Sequence, residues 1–326
     1  MSETKTIAVV GAAGATSGGL ARAILADPAG GYACRAITRT PDSAAARALA
    51  DQGATVVRAD LDDVDSLIGA FEGAYGAFCV TQFFEHFDAE REATQAANQA
   101  RAAAAAGVRH AIWSTAEDTR RRYPLDDDRM PTLQGRFKVP QWDAKSEGDM
   151  RFEEAGVPTT SLLTPFHWEA WVSGLAAPQP GPDGVLTLAL PLGDALLPGI
   201  AAENIGRCAY GLFRGGEEFQ GPPSGSPVST SPGAARAWPV AGVRRAGAVP
   251  AAAARSVPLT AVPGIDVASN MIPYVAEAND EYCRSRDVQP GQAAQSFATR
   301  VRRLVARPNT HIGEGFYHGR RAMIRT

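Results

Sequence analysis

The chain has 326 residues, of which 45% are hydrophobic and 21% are charged, a composition typical of globular proteins rather than of disordered or fibrous ones. Lysine and arginine total 32 against 35 acidic residues, so the formal net charge of -3 provides no positive field to hold nucleic acid. Segment 1–5 lacks a signal-peptide pattern and no apolar run approaches membrane-spanning length, so we expect a cytoplasmic protein that contacts neither membrane nor nucleic acid directly.

The first half of the chain alternates short β-branched strands with helices rich in alanine. Strands are predicted at 6–10, 34–38, 55–58, 76–81, 110–114 and 159–163. Helices are predicted at 19–26, 43–52, 63–71, 90–106 and 143–154. This alternation predicts the α/β class, with a doubly wound parallel sheet.

The remainder of the chain is less regular. Charges and prolines at 119–140 predict a surface loop whose charges are solvated, and 186–191 resembles another strand. Residues 221–264 are rich in proline and alanine and by composition are predicted to be disordered. Ordinary globular sequence returns at 265–305, with an amphipathic stretch at 271–283.

Cysteine is used sparingly. Cys34, Cys79, Cys208 and Cys283 occur singly, without the CxxC spacing of a metal site. We therefore predict no metal and no disulfide framework.

A glycine-rich turn separates the first predicted strand from the first helix. Gly11 allows the chain to turn tightly, and Gly14 allows the backbone to approach a phosphate closely. Backbone amides and the helix dipole at this position can hold a pyrophosphate, and Ala12, Ala13, Ala15 and Thr16 complete the predicted contact loop. The simpler alternative is a tight strand-to-helix turn, but its context within repeated βα units favours a Rossmann domain that binds NAD(P) at residues 1–160.

The end of the second strand bears on the choice of cofactor. No acidic residue stands there to hold the ribose hydroxyls of NAD, whereas Arg39 offers a planar cation to the 2′-phosphate of NADP. The alternative is an ordinary exposed arginine. Asp60 and Leu61 end the third strand where an adenine would rest, although Asp60 could equally cap the next helix. The sequence thus favours NADP(H) over NAD(H).

These segments together resemble the NmrA-like family, atypical relatives of the short-chain dehydrogenases that include HSCARG-type redox sensors. The resemblance covers 6–220 and rests on the glycine loop, 38–41, 59–63, 80–85, 143–145 and 156–159. The family usually has glycine where Ser17 stands, which puts the tight packing of the first helix in question.

The resemblance also implies roles for residues outside the glycine loop. Thr81, Gln82 and Phe83 would run beside the nicotinamide ribose, and Lys145 would contact the cofactor. His167, Trp168 and Glu169 would close over the nicotinamide side. Without the resemblance, a lone lysine is a surface residue and these aromatics belong to a core.

The resemblance leaves catalysis open. Short-chain dehydrogenases place a tyrosine four residues before the lysine, and here that residue is Gln141, which cannot act as a general acid although Ser114 and Lys145 remain. Tyr123 or His167 could substitute, but no catalytic residue is assigned. One hypothesis is a non-catalytic redox sensor that acts on a regulatory protein partner. The other is an NAD(P)H-dependent reductase of a small carbonyl or quinone substrate.

The second lobe departs from the family. We expect an incomplete, smaller α/β lobe at 161–306 for substrate or partner, interrupted by 221–264, and an irregular tail at 307–326. With permitted codons, reading Pro222 onward two bases later gives Ala-Val-Gly-Ile-Ala-Gly-Glu-His-Leu-Thr-Gly, which resembles the family's strand and helix start. We hypothesise a compensated frameshift over 222–263. The alternative is a natural insertion rich in proline and alanine.

Overall fold

The computed structural model describes residues 4–164, 166–167, 169, 179–180, 186–187, 199–220 and 270–278. The strands are β1 Lys5–Val10, β2 Tyr32–Thr38, β3 Thr55–Arg58, β4 Gly76–Cys79, β5 His110–Thr115, β6 Thr159–Leu163, β7 Phe166–His167, β8 Gln179–Pro180, β9 Leu186–Thr187 and β10 Gly199–Ile200. The helices are α1 Ala15–Leu25, α2 Ala44–Asp51, α3 Val64–Phe71, α4 Ala89–Ala105, α5 Pro140–Glu154, α6 Ala202–Gly215 and α7 Met271–Glu277.

Six strands form one parallel sheet in the order β3-β2-β1-β4-β5-β6. Val9 lies opposite Ala36 of β2 and Phe78 of β4, which fixes the central register. The chain leaves β1 towards β3 and then returns to the other side of β1 through β4, as in a doubly wound Rossmann sheet. The predicted α/β class and parallel sheet are therefore confirmed.

Both faces of the sheet are covered. Ala8 and Val10 join a core cluster with α3, α4 and α5, to which Leu67 and Phe152 contribute. Ile7 is fully buried and points to the opposite face, since successive strand residues alternate. Burial on both faces explains why the central strands β1 and β4 carry apolar runs without polar alternation.

Helix α6 packs directly on α1 through glycines. A Cβ added to Gly19 would lie 2.3 Å from the backbone oxygen of Glu203, and one added to Gly206 would lie 2.0 Å from the nitrogen of Leu20. The two backbones are therefore in contact, with no room for a side chain at either glycine. Because α6 was not predicted from the sequence, this packing is a finding of the structure.

The segment that joins β5 to α5 is a packed structure. Lys138 is 1% exposed, and its Nζ donates hydrogen bonds to the carbonyl oxygens of Asp127 at 2.9 Å and Met130 at 2.5 Å. Tyr123 and Phe137 are also buried. The expectation of solvated charges was therefore wrong for Lys138, because backbone carbonyls rather than water surround its ammonium group, whereas charged residues such as Arg121 and Arg129 are exposed as expected.

The chain divides into two compact units. The first comprises the described parts of 1–164, 202–237 and 263–270, and the second those of 165–201 and 271–326. Within the second unit, β7 pairs in parallel with β10, and β8 pairs antiparallel with β9. Helix α7 begins the predicted amphipathic stretch, whereas the Pro/Ala-rich segment and the C-terminal tail lie outside the described residues. The predicted domain boundaries stay a prediction.

In the part of the chain that the structure describes, no helix is long and apolar enough to cross a bilayer.

Candidate functional site

Apart from Lys145, which lies in α5, the predicted site residues of the first unit follow the carboxyl ends of the sheet strands. The chain order reverses between β1 and β4, and such a switch point is where open α/β sheets bind ligands. The glycine loop follows β1, Arg39 follows β2, Asp60 follows β3 and Thr81 follows β4. Because these strands are parallel neighbours, the four segments share one edge of the sheet.

The glycine loop has the backbone geometry of a tight turn. Gly11 has a φ of 64°, a left-handed conformation that disfavours residues with a Cβ. The Gly14 amide donates to the Gly11 carbonyl at 2.8 Å, and a Cβ on Gly14 would lie 3.2 Å from that same oxygen. Ala13, Gly14 and Ala15 are exposed, so the outer surface of the loop is accessible backbone.

Helix α1 begins in this loop and has no side-chain cap. Its N-cap residue is Gly14, which has no side chain to accept a hydrogen bond from the first-turn amides. These amides, those of Thr16 among them, carry the positive end of the helix dipole. Ser17 is 2% exposed, so a serine fits at the position where the family usually has glycine. The loop and helix start therefore fit the pyrophosphate of a dinucleotide.

Arg39 lies just beyond β2, and the exposed fraction of its side chain is 54%. Its Nη2 donates a 2.6 Å hydrogen bond to Oε2 of Glu85, whose side chain is 48% exposed. Glu85 belongs to a one-turn 3₁₀ helix, Phe83–Glu85, which follows β4. A guanidinium group at this position can contact a ribose phosphate, and sequence reasoning did not identify its carboxylate partner.

Asp60 and Leu61 follow β3. Oδ1 of Asp60 accepts from the Asp62 amide at 3.0 Å, within its own turn. Asp63 is the residue that caps α3, because its Oδ1 accepts from the amides of Asp65 and Ser66. The alternative that Asp60 caps this helix was therefore wrong.

Lys145 and Thr81, for which the family resemblance implies contacts with the cofactor, lie against each other. The Lys145 Nζ donates to Oγ1 of Thr81 at 2.8 Å and to its carbonyl oxygen at 3.2 Å. The same Nζ lies 3.2 Å from Oε1 of Glu92. Thr81 in turn donates its hydroxyl hydrogen to that oxygen at 2.6 Å. The lysine is thus tied to the end of β4 and is not a freely solvated surface residue.

Glu92 contacts both Thr81 and Lys145 and was not identified from the sequence. Its side chain is fully buried, and its Oε2 lies 3.5 Å from Nε2 of His86. A signal was present in the helical spacing, since Glu92, Gln95 and Gln99 share the buried face of α4 with alanines. A buried carboxylate needs a cation, and Lys145 supplies it.

Gln141, which stands where short-chain dehydrogenases have their tyrosine, is buried, as are Ser114 and Asp143. Gln141 lies on α5 one turn before Lys145, and Ser114 lies near the end of β5. Asp143 accepts from the amides of Thr119 at 2.8 Å and Lys138 at 2.7 Å, which ties α5 to the preceding segment. Burial raises the pKa of the Asp143 carboxyl above its usual range. The role of Asp143 is therefore structural.

The remaining predicted contact residues belong to both units of the chain. Gln82 is exposed, whereas Phe83 is buried and makes an edge-on contact with Phe87. His167 and Glu169 belong to the second unit, and Trp168 lies outside the described residues. Their predicted closure over the nicotinamide stays a prediction.

Sequence comparison identifies the family. The sequence model described as the NmrA-like family matches residues 3–223, more than half of the chain. The chain belongs to the NmrA-like family. The NmrA-like family domain-containing oxidoreductase FrzB of Cladobotryum sp is 28% identical over 243 residues, which cover 67% of each protein. The oxidoreductase hkm9 of Aspergillus hancockii is 45% identical over 75 residues, 23% of this chain and 22% of that protein.

Solved structures agree in fold. The negative transcriptional regulator NmrA, crystallised with NADP, has a TM-score of 0.57 at 20% identity and covers 93% of this chain and 91% of its own. An NADPH-dependent quinone oxidoreductase from Escherichia coli, complexed with NADPH, has a TM-score of 0.61 at 18% identity, over 92% of this chain and 99% of its own. At these identities the likeness establishes the Rossmann fold of the NmrA-like family and not the activity.

Proposed function

We propose that this NmrA-like protein binds NADP(H) at the carboxyl edge of its sheet. The observation that carries the proposal is the Gly11–Ala15 loop, exposed except at Ala12, which leads into the uncapped start of α1 at the switch point between β1 and β4. Backbone amides there would hold the pyrophosphate, while Asp60 and Leu61 would border the adenine. Lys145 and Thr81 would meet the nicotinamide ribose.

The preference for NADP(H) over NAD(H) is assigned to Arg39. Its guanidinium group lies at the end of β2, where the ribose of a bound dinucleotide carries the 2′-phosphate. A charge-assisted hydrogen bond to phosphate favours the phosphorylated cofactor. Crystal structures of NmrA itself exist with NADP and with NAD, so family membership alone leaves this preference open.

We propose a redox sensor as the primary function. When bound, the cofactor supplies or accepts a hydride, but a reduction also needs a proton donor at the substrate. Gln141 replaces the tyrosine that would donate, and an amide cannot do so. A sensor needs only different affinities for the two conformations that the oxidised and reduced cofactor favour, with a regulatory protein as the partner that responds.

A reductase is the second candidate. The relatives FrzB and hkm9 are both named oxidoreductases, which favours chemistry in this family. Within the chain, Glu92 and Thr81 hold the Lys145 ammonium group in one place at the site edge, as a substrate-orienting group requires. The substrate would be a small carbonyl compound or a quinone.

Calorimetric titration with NADPH, NADP+, NADH and NAD+ tests the cofactor proposal. We expect binding of NADP(H), and Arg39→Ala should weaken it about tenfold or more while leaving NAD(H) unchanged, because only the 2′-phosphate contact is lost. Arg151→Ala is a matched control, since Arg151 is similarly exposed and pairs with Glu154 on α5. Failure of all four dinucleotides to bind would contradict the proposal.

Cofactor turnover separates the two candidates. NADPH oxidation followed at its absorbance band with a panel of quinones and enones should show no turnover above the uncatalysed rate if the protein is a sensor. Steady consumption that depends on Lys145 would establish the reductase instead. Different affinities for NADPH and NADP+ in the same preparation would support the sensor.

A further inference from the structure

The ion pair between Arg39 and Glu85 crosses the carboxyl edge of the sheet. Arg39 follows β2 and Glu85 follows β4, and β1 lies between these two strands. The 2.6 Å contact therefore extends past the end of the strand that leads into the glycine loop. The carboxylate at this point comes from a segment remote in sequence.

The pair is poorly suited to stabilise the fold. Both side chains are about half exposed, and ion pairs of this kind contribute little to stability because water and salt screen them. The turn that carries Glu85 is held by its own backbone, since the Glu85 amide donates to the Gln82 carbonyl at 3.0 Å. Phe83 anchors the same turn through burial. Loss of the carboxylate would leave these supports in place.

Glu85 already engages the guanidinium group of Arg39, which the proposed function assigns to the 2′-phosphate. Carboxylate and phosphate oxygens are both acceptors for the same guanidinium donors, and the Nη2 of Arg39 already donates to Glu85. A phosphate at Arg39 would have to displace this carboxylate or lie beside a like charge. A dinucleotide without the 2′-phosphate would leave the pair intact.

We propose that Glu85 is a specificity-determining residue that competes with the 2′-phosphate for Arg39 and thereby narrows the preference for NADP(H) over NAD(H). The inference rests on the proposed function, because it needs a dinucleotide at this edge. Cofactor selection then depends on Glu85 after β4 as well as on Arg39 after β2. The difference between the affinities for NADP(H) and NAD(H) is smaller than it would be with Arg39 and no Glu85.

A double-mutant cycle with NADP+ and NAD+ tests the competition, because these ligands differ only in the 2′-phosphate. The proteins are the wild type, Glu85→Gln, Arg39→Ala and the double variant, with dissociation constants measured by calorimetry. We expect Glu85→Gln to tighten NADP+ binding about two- to fivefold and to leave NAD+ unchanged. In the Arg39→Ala background the same substitution should change NADP+ affinity clearly less, because only the repulsion between like charges is relieved, and should leave NAD+ affinity unchanged.

The control is Glu154→Gln, which removes an equal charge from a similarly exposed pair on α5. The competition would be refuted if Glu154→Gln raised NADP+ affinity as much as Glu85→Gln does. It would also be refuted if Glu85→Gln gave the same gain in the Arg39→Ala background. Either result would show a general effect of removing negative charge. Weaker NAD+ binding with unchanged NADP+ binding would place Glu85 on the ribose hydroxyls and also overturn it. Wild type that binds neither ligand refutes the proposed function itself, whereas normal binding with an unchanged preference in Glu85→Gln refutes this inference alone.

Discussion

The Asp149 carboxyl group lies between two hydroxyl donors. Thr115 donates to its Oδ2 at 2.7 Å and Ser161 donates to its Oδ1 at 2.6 Å. Burial raises the pKa of Asp149 from 3.8 to about 6, and the two hydroxyl hydrogen bonds only partly oppose this shift. The folded protein therefore holds a proton here over a pH range in which the unfolded chain has lost it.

This raised pKa makes stability depend on pH in a defined direction. Between about pH 4 and pH 6 the folded state binds more protons than the unfolded state, so the free energy of unfolding should fall as the pH rises, by at most about 3 kcal/mol. Urea unfolding of wild type and Asp149→Asn at several pH values tests this, because the asparagine variant should lack that part of the slope. Asp51→Asn, at the exposed end of α2, controls for loss of a carboxylate. Parallel pH profiles for wild type and Asp149→Asn would contradict the prediction.

At the residue scale, the candidate site could be proposed from the sequence only where one local motif defines it. Gly11 and Gly14 were identifiable because a strand, a turn and a helix surround them in sequence. Glu85 and Glu92 were not, since their partners Arg39 and Lys145 lie 46 and more than 50 positions away and only the fold brings them together. Charged residues acquire such roles from long-range contacts that periodicity does not encode.

At the element scale, the contact between α1 and α6 depends on two glycines. Gly206→Ala should lower the free energy of unfolding by about 1 to 3 kcal/mol, because its methyl group would overlap the Leu20 backbone and force the helices apart. Gly211→Ala, on the same helix with no atom within 4 Å of the added Cβ, should instead raise stability by up to about 1 kcal/mol through helix propensity. Chemical denaturation of both variants measures the difference. Equal effects would show that the backbones are not in contact at Gly206.

The elements of the Rossmann sheet were largely predictable, and the errors have physical reasons. The spans of β3 and β6 agree with prediction because each is a short β-branched run between turn signals. The first turn of α1 was taken for loop, since Ala15–Gly18 contains serine, threonine and glycine, which have low helix propensity. Helix α6 was not predicted, although it is amphipathic, because the sequence on either side of it shows no regular pattern.

At the scale of the whole molecule, the family match ends where the segment of unusual composition begins. The NmrA-like match ends at residue 223, and the segment that is rich in proline and alanine begins at 221–222. A compensated frameshift over 222–263 predicts that family-like sequence is lost where the reading frame changes, which is where the match ends. If the segment is a natural insertion, the frame two bases later should not encode a sequence that resembles the family.

Sequencing of the coding DNA decides between these origins. We expect the frame that lies two bases later, from the codon of Pro222, to read Ala-Val-Gly-Ile-Ala-Gly-Glu-His-Leu-Thr-Gly and to stay open to about codon 263. A stop codon, or codons that encode other residues in that frame, would refute the frameshift. A chain with the frame restored should also unfold at a higher urea concentration than the present one, because an apolar strand and helix bury surface that a segment of this composition cannot. Equal midpoints would show that the restored residues add nothing to the fold.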